Sequence, residues 1–320
     1  MKKTLLYFLL IPVFGFSQNL FNYGFNGDTA ALTAAGWVRT NQSGQASTTL
    51  WTVASYTQVT VSSTVNPTPF QNQVYNIGEV CPIPNGQDGT PNTFALVNFS
   101  STTNTSTNGA TISNWLITPE ITVQNGDIVS FYTRKGTSGT TDYPDRLELR
   151  MSPNNSPALP NNANSVGGFT TLGVSVNPNL LGGFVYPKVW TQYSYVVDGL
   201  SGPTAVKFAF RYFVTNGGSN ATNSDIIGID TFSVDRPLSS DTFFKNNFSI
   251  YPNPVNNVLN ISLKNEMTIN SLSITDLNGR VVVSINSSST SIDVSNLSSG
   301  VYFVSIETNE GKGTSKFVKN

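Results

Sequence analysis

The strongest constraint on this chain is the alternation of apolar and polar side chains over short stretches. In residues 206–213 (VKFAFRYF) every second side chain is large and apolar, and residues 147–151 (LELRM) repeat the pattern. A period of two is that of a β-strand, whose successive side chains point to opposite faces. Asn-Gly, Gly-Gly and proline-containing breaks separate such stretches, and the helical signal is limited to one turn near residues 30–35. Many short strands between such breaks predict an all-β protein built of sandwiches or barrels.

The alternation breaks down at residues 237–247, where Pro237, two serines and an Asn-Asn pair predict a linker. Beyond it the strands become shorter. Asn278-Gly279 lies between two apolar stretches, which is a strong hairpin signal. About seven strands in residues 248–320 predict a small Ig-like β-sandwich. Residues 18–236 then form a separate, larger β domain.

Residues 1–17 have the pattern of a signal peptide. Lys2 and Lys3 precede an apolar run from Leu5 to Phe16, which is too short to span a bilayer as a stable helix. No cysteine lies near the expected cleavage site after Ser17, so a lipoprotein anchor is not expected. The alternative is an uncleaved N-terminal anchor. No later run reaches about eighteen apolar residues, so we expect no transmembrane segment.

The residue composition excludes several kinds of chemistry. The chain has no histidine, which excludes Ser-His-Asp and Cys-His mechanisms and every histidine-ligated metal site. Cys81 is the single cysteine, so no internal disulfide can form, and a buried, inert thiol is expected. The net charge is −1 and no basic run occurs, so nucleic acid and anionic membranes are not expected partners.

Residues 248–320 carry several motifs in a distinctive order: FSIYPNP, DLNGR, LSSGVYF and, at the end, KFVK. In this they resemble the type A C-terminal sorting domain of the type IX secretion system of Bacteroidetes. The resemblance implies export by the type IX translocon, followed by removal of the domain by a sortase-like peptidase. It assigns the sorting signal to Lys316, Phe317, Val318 and Lys319. It predicts a protein that is secreted or held at the outer cell surface.

The larger domain contains a Gly-Trp pair at Gly36-Trp37, the strand NWLITPEI at residues 114–121, and the late strand GIDTFSV at residues 228–234. By these motifs and their order it resembles the choice-of-anchor J or cleaved-adhesin family, a jelly-roll sandwich related to MAM domains. The resemblance implies structural roles for Trp37, Trp115 and Trp190.

In that family, acidic groups near the first and last strands can belong to a structural calcium site. The corresponding residues here are Asn26, Asp28 and Asp230, so the resemblance implies calcium as a cofactor and no other. Calcium takes about six to eight oxygen ligands, several of them carboxylates. Asn26 and Thr231 stand where relatives often carry acids. The alternative is that Asp230 bonds only to local backbone amides at a strand end.

A glycine- and threonine-rich loop at residues 134–145 contains Asp142, Tyr143 and Asp145. An aromatic face can stack on a sugar ring while carboxylates accept hydrogen bonds from its hydroxyls. Two carboxylates can also form a glycosidase pair, and the remaining alternative is an ordinary solvated hairpin tip. Trp51 is the tryptophan expected to be exposed as a further binding platform.

These observations predict a secreted or cell-surface binding protein of the adhesin type, without catalytic residues. Its expected ligand is a carbohydrate or a host or matrix protein. The first alternative is an extracellular hydrolase or an accessory subunit of one, which the lack of a separate catalytic domain disfavours. The second alternative is a purely structural surface protein.

Overall fold

The computed structural model describes residues 17–62, 69–71, 74–136, 141–237, 240–264, 267–286, 288–309 and 312–320. The predicted signal peptide therefore lies, except for Ser17, outside the described residues. The chain divides into two compact units: the first unit is Asn19–Arg236 and the second unit includes Pro237–Asn320.

The first unit is built from fifteen short strands, one short α-helix and one turn of 3-10 helix (Phe99–Ser101), counted over the described residues. The strands are β1 (Ser17–Tyr23), β2 (Val38–Asn41), β3 (Thr52–Val53), β4 (Val59–Thr60), β5 (Val80–Cys81), β6 (Ala95–Asn98), β7 (Ala110–Ile117), β8 (Ile121–Val123), β9 (Ile128–Gly136), β10 (Leu147–Met151), β11 (Thr171–Val176), β12 (Thr191–Val196), β13 (Thr204–Val206), β14 (Phe208–Gly217) and β15 (Ile226–Pro237). Helix α1 (Thr29–Ala34) begins at Asp28, whose carboxylate accepts a hydrogen bond from the backbone amide of Ala31. This short helix corresponds to the one helical turn that the sequence indicates near residues 30–35.

Two large sheets form the sandwich. One has the order β12-β9-β15-β6-β3, with β1 also paired to β15, and the other has the order β11-β10-β14-β7-β2. Phe131 on β9 meets Phe210 on β14 edge to face, with ring centroids 4.9 Å apart. These strands belong to different sheets, so their inward side chains share one core.

The alternation on residues 206–213 is confirmed, since Phe208, Phe210 and Tyr212 all lie in that core. The opposite face of β14 is buried as well. Ala209 packs with Trp115, Ile117 and Phe169 in a second layer outside the sheet. The sheet is thus covered on both faces by the chain itself.

The second unit contains one helix and seven strands among its described residues. They are α2 (Ser240–Asn247), β16 (Phe248–Tyr251), β17 (Val258–Leu263), β18 (Ile269–Thr275), β19 (Val281–Ile285), β20 (Ser291–Asp293), β21 (Gly300–Thr308) and β22 (Lys312–Lys319). The sheets have the orders β16-β17-β20 and β19-β18-β21-β22, as a small sandwich requires. The hairpin at Asn278-Gly279 joins β18 to β19, and Gly279 has a φ of +79°, a conformation that glycine adopts without strain.

The prediction of a linker at residues 237–247 is wrong for most of its length, because helix α2 occupies residues 240–247. Phe243 and Phe244 are buried in the core of the second unit, and the Phe244 ring lies 5.5 Å from the Phe248 ring. A Cβ at Gly313 would come within 3.0 Å of Phe244, so β22 needs glycine where the helix crosses it. The serine and asparagine residues suggested a loop, whereas two buried aromatic rings determine the structure.

We expect Phe317→Ala to destabilise the second unit by about 3–5 kcal/mol, because the side chain is fully buried and its removal leaves a cavity. Lys316→Ala is the matched control, since Lys316 is exposed on the same strand and should change stability by about 0.5 kcal/mol or less. Urea unfolding followed by fluorescence and circular dichroism measures both. Equal effects of the two substitutions would contradict this packing.

Candidate functional site

The predicted binding loop is held down by a buried ion cluster. The Lys135 ammonium group lies 2.5 Å from Asp142 Oδ1 and 3.0 Å from Asp145 Oδ2. Asp145 Oδ1 also accepts hydrogen bonds from the Tyr212 hydroxyl at 2.6 Å and from the Asp225 backbone amide at 2.9 Å. Burial lowers the pKa of Lys135, but the two carboxylates raise it by more, so the net shift is upward. The ammonium group is therefore firmly protonated.

The assignment of Asp145 to an exposed binding loop is wrong, because its side chain is completely buried. Asp142 is nearly buried, and its second oxygen accepts a hydrogen bond from the Phe184 backbone amide at 2.6 Å. Both carboxylates contact the same ammonium group, so they anchor the loop instead of facing a ligand. Tyr143 is 38% exposed and lines a cleft of about 230 Å³ beside this cluster, and its carbonyl oxygen accepts a hydrogen bond from the Lys135 ammonium group at 2.7 Å.

Trp51 is also misassigned as an exposed platform. Its side chain is fully buried in the main core, and its indole nitrogen donates a hydrogen bond to the Asn114 carbonyl oxygen at 3.1 Å. A buried indole that has found an acceptor for its N–H is a structural residue.

The tryptophan at a cleft is Trp190, which the family resemblance treats as structural. It lies just before β12 and is half-buried. We call the cleft beside it the Trp190 cleft. It has a volume of about 600 Å³, and its described lining residues are Phe70, Gln71, Tyr75, Pro82, Ile83, Pro84, Asn85, Gly86, Gly89, Arg134 and Trp190.

The Trp190 cleft lies on the outer face of the sheet that contains β9 and β15. Gly228 on β15 is the register partner of Arg134 on β9. A Cβ at Gly228 would lie 3.1–3.4 Å from the rings of Phe94, Trp190 and Phe70. The missing side chain therefore lets these aromatic rings lie directly on the sheet, and the rings of Phe70 and Trp190 form the floor of the cleft.

Arg134 is the charged residue of the Trp190 cleft. It is 9% exposed, and one guanidinium nitrogen donates a hydrogen bond to the Phe70 carbonyl oxygen at 2.8 Å. Its guanidinium carbon lies 5.6 Å from the Phe70 ring centroid and 5.7 Å from that of Trp190. Such ring faces attract a cation. Burial lowers the pKa of Arg134 to about 10, which still leaves it charged at neutral pH.

Polar groups around Arg134 hold the rim of the cleft in place. Trp190 donates its indole N–H to the Asn85 carbonyl oxygen at 3.1 Å. The Gln71 side chain donates a hydrogen bond to the Pro82 carbonyl oxygen at 2.6 Å. Aromatic surface, side-chain amides and one cation thus meet in one open cleft, a combination found in small-ligand sites.

Asp230 supports the loop that forms one wall of this cleft. Its two carboxylate oxygens accept hydrogen bonds from the backbone amides of Gln87 and Thr231, each at 2.6 Å. Gln87 is 143 positions away in the chain, so Asp230 does more than bond to its immediate neighbours. Burial raises the pKa of Asp230 to about 6, and the charge of Asp88 acts in the same direction.

The three residues predicted for calcium are engaged separately. Asp28 caps helix α1, Asp230 holds the loop at Gln87, and Asn26 is exposed before the helix. Within the described ranges, no group of three or more acidic, histidine or cysteine side chains could hold a metal ion. As placed, these residues do not fit the six to eight oxygens that calcium takes. Calcium binding stays a prediction of the family resemblance.

The predicted sorting signal lies within strand β22. Phe317 is buried and stacks on Tyr302 with a centroid distance of 5.8 Å, whereas Lys316 is exposed. The Val318 carbonyl oxygen accepts a hydrogen bond from the Val255 amide at 2.9 Å, and Lys319 is largely buried. Of the four residues, Lys316 is therefore the one with an exposed side chain.

Comparison with known families decides what the second unit is. Residues 249–320 match the family described as secretion system C-terminal sorting domain. They form a type IX sorting domain. The protein is accordingly exported by type IX secretion to the cell surface or the extracellular space. Among the described residues, no helix has the length and apolar character needed to cross a membrane.

Solved structures similar to this chain include adhesin domains. The K3 cleaved adhesin domain of Lys-gingipain from Porphyromonas gingivalis is 12% identical, with 68% of this chain and 98% of that one covered and a TM-score of 0.37. The K1 domain of the same protein is 15% identical, with 68% and 97% covered and a TM-score of 0.35. The adhesin domain of Epf from Streptococcus pyogenes is 10% identical, with 70% and 75% covered and a TM-score of 0.23. No curated protein matches the chain.

Sequence reasoning missed Arg134 and the aromatic floor around it. One signal was available, because Arg134 is a charged residue at the end of a strand pattern rich in apolar residues and Trp190 directly precedes a strand. The contact between Arg134 and the aromatic rings depends on Phe70, which lies more than sixty positions earlier in the chain. No local pattern carries that information.

We expect Asp230 to make the stability of the first unit fall as pH rises from about 4 to about 6. Its folded pKa lies above the ordinary value of 3.8, so its contribution is fully present below that value and is lost as pH passes about 6. Relative to Asp230→Asn, the wild type should lose on the order of 3 kcal/mol, since each tenfold change in acidity corresponds to about 1.4 kcal/mol. Urea unfolding at about pH 4 and pH 7 measures this. A pH-independent difference between the two proteins would contradict it.

Calcium binding, if it occurs at Asp230, should raise the melting temperature in millimolar calcium relative to EDTA. Linkage predicts a stabilisation of about 2.7 kcal/mol at a hundredfold excess of calcium over its dissociation constant. Asp230→Ala should abolish the shift. Identical melting temperatures in EDTA and calcium would remove calcium from the account of this protein.

Proposed function

We propose that this protein is a non-catalytic, adhesin-type binding protein, and that its first unit is a choice-of-anchor J or cleaved-adhesin module that binds carbohydrate in the Trp190 cleft. The observation that carries this proposal is the meeting of an accessible tryptophan, side-chain amides and Arg134 in one open cleft. A ring face can stack on the C–H side of a sugar, and amides can hydrogen-bond to its hydroxyls. The volume of about 600 Å³ suits a ligand of one or two sugar units.

A hydrolase is the less supported alternative. Its candidate acid pair was Asp142 and Asp145, and both contact the Lys135 ammonium group. A carboxylate in that position is poorly placed to protonate a glycosidic oxygen or to attack a sugar. Cys81, the single thiol, is buried beside Val61 and Tyr75.

A glycan array probed with the purified protein tests the proposal. We expect Trp190→Ala to lower affinity for any bound glycan at least about tenfold, because tryptophans at the centre of binding sites commonly contribute more than about 1.4 kcal/mol. Trp190→Phe should keep part of the affinity, since it keeps an aromatic face. Tyr143→Ala is the matched control in the other cleft and should leave binding unchanged.

Two outcomes of the array would contradict the proposal. Binding that Tyr143→Ala abolishes and Trp190→Ala leaves intact would move the site to the Tyr143 cleft. Failure of every glycan to bind would favour the structural surface protein or a protein ligand.

For the sorting domain, we propose that the translocon recognises the exposed part of β22 and that a sortase-like peptidase then removes the domain. Because α2 packs into the core of the second unit, a cut that preserves both units falls before Ser240. The mature protein would then lack at least residues 240–320.

We expect Lys316→Glu to reduce export while leaving the sorting domain folded, because it reverses an exposed charge within the predicted signal. Lys312→Glu is the matched control at the other end of the same strand, where the lysine is also exposed. Deleting residues 316–320 also removes Phe317 from the core, so its effect on export would combine recognition with unfolding. Cell fractionation of a type IX-competent host measures all three. Surface levels unchanged by both Lys316→Glu and the deletion would refute the assigned signal.

A further inference from the structure

The buried cluster around Lys135 holds an amine against a carboxyl group inside the protein. The side chains of Lys135 and Asp145 are completely buried, and that of Asp142 is nearly so. Lys135 Nζ lies 2.5 Å from Asp142 Oδ1, so the carboxyl carbon of Asp142 is at most one bond length further away. Atoms held about 3–3.5 Å apart in a fixed geometry are poised to react. A nucleophile and an electrophilic carbon therefore face each other where water is excluded.

From this geometry we propose that Lys135 and Asp142 condense to form an isopeptide bond, with Asp145 relaying a proton. The new bond joins Lys135 Nζ to the side-chain carbon Cγ of Asp142. It would tie the end of β9 covalently to Asp142 in the chain that follows. This self-catalysed modification is independent of ligand binding in the Trp190 cleft.

The reaction begins with a proton shift inside the ion pair. The ammonium group passes one proton to Asp142 Oδ1, which gives a neutral amine and a neutral acid without changing the net charge of the cluster. The amine then attacks Asp142 Cγ, and negative charge develops on Oδ2. That oxygen already accepts a hydrogen bond from the Phe184 backbone amide at 2.6 Å, so a donor is in place for the oxyanion.

Asp145 completes the reaction as the proton relay. Its Oδ2 lies 3.0 Å from Lys135 Nζ, close enough to take a second proton from the nitrogen and pass it to Asp142 Oδ1, which leaves as water. The Tyr212 hydroxyl and the Asp225 amide hold the other Asp145 oxygen in place. The nitrogen keeps its third hydrogen. One ammonium group and one carboxylate thus give one amide and one water, and Asp145 ends as it began.

The protonation of Lys135 does not prevent this reaction. Burial lowers the pKa of Lys135 and the two carboxylates raise it by more, so the ionised pair predominates. The proton shift within the pair nevertheless supplies the neutral amine without exchange with solvent. A slow reaction suffices, because the fold keeps the groups in contact and shields the amide from hydrolysis. Condensation also removes a buried ion pair, whose desolvation is costly.

The ion pairs at Asp127 and Glu148 lack such a nucleophile. Asp127 pairs with Arg236, and Glu148 pairs with Arg150 and Arg211. A guanidinium group stays protonated in proteins, so it does not supply a free amine. The Lys135 cluster differs from these pairs in having an amine and a second carboxylate that can relay its proton.

Mass spectrometry of tryptic peptides from the purified full-length protein tests the proposal. Trypsin cuts after Arg134 and Arg146, and it also cuts after a lysine whose amine is free. We expect the main product to be a peptide of residues 135–146 that is uncut at Lys135 and lighter by one water molecule. Its fragmentation should show a ring closed between Lys135 and Asp142, with residues 143–146 unmodified.

Three variants assign the roles within the cluster. Lys135→Arg should abolish the loss of water, because it removes the amine. Asp145→Asn keeps both bonded residues but removes the relay, and should leave most of the peptide cut at Lys135 and unmodified. Lys188→Arg is the matched control and should leave the bond intact, since Lys188 contacts the same Phe184 ring, with Nζ 3.8 Å from its centroid. Circular dichroism shows which variants fold.

The wild-type peptide decides the question even if a variant fails to fold. Cleavage after Lys135 that yields residues 136–146 at their unmodified mass would overturn the proposal. A loss of water that persists in Lys135→Arg would point to a succinimide and overturn it as well. A ring closed at Asp145 would overturn the assignment of Asp142 as the bonded residue, and full cross-linking in Asp145→Asn would overturn the relay.

Discussion

Aromatic packing between β9 and β14 is the contact on which the first unit depends. Phe131 and Phe210 meet across the two sheets at 4.9 Å, and Phe232 on β15 packs against Phe210 at 5.6 Å. Once the inner faces are joined in this way, the outer faces of β9, β14 and β15 have to be covered or left to water. Long loops cover them. At the Trp190 cleft this covering leaves part of the outer face of one sheet open to solvent.

The covering loops explain why so many charged residues are buried in a chain with few charges. Only 11% of its residues are charged, yet Lys135, Arg134 and Arg211 are all withdrawn from solvent. A buried charge is costly unless it is compensated, so Lys135 holds two aspartates and Arg211 holds a glutamate. These ion pairs fix loops in place, and in this sense the acidic loop at residues 141–145 supports the fold.

The second unit is organised by a different contact. Helix α2 inserts Phe243 and Phe244 into a small core that β17, β18, β21 and β22 also line. The last strand contributes Phe317 to that core while keeping Lys316 in water, so one strand carries both a core residue and the exposed lysine of the predicted sorting signal. Removing its end therefore removes both at once.

The sequence by itself determined the structural features that depend on a local pattern of residues. A period of two predicts strands whatever they pack against, Asn278-Gly279 predicts its hairpin, and the ordered motifs after residue 248 identify the sorting domain. Tertiary structure alone decided which side chains face water. Trp51 and Trp190 look alike in sequence, but Trp51 lies between two sheets and Trp190 lies at the open edge of a covering loop. Asp145 is buried because Lys135 and Tyr212 reach it from two strands, and Arg134 is buried because Phe70 and Trp190 close around it. Whether a side chain is buried depends on residues that are distant in the chain, and a single sequence does not show which distant residues are in contact.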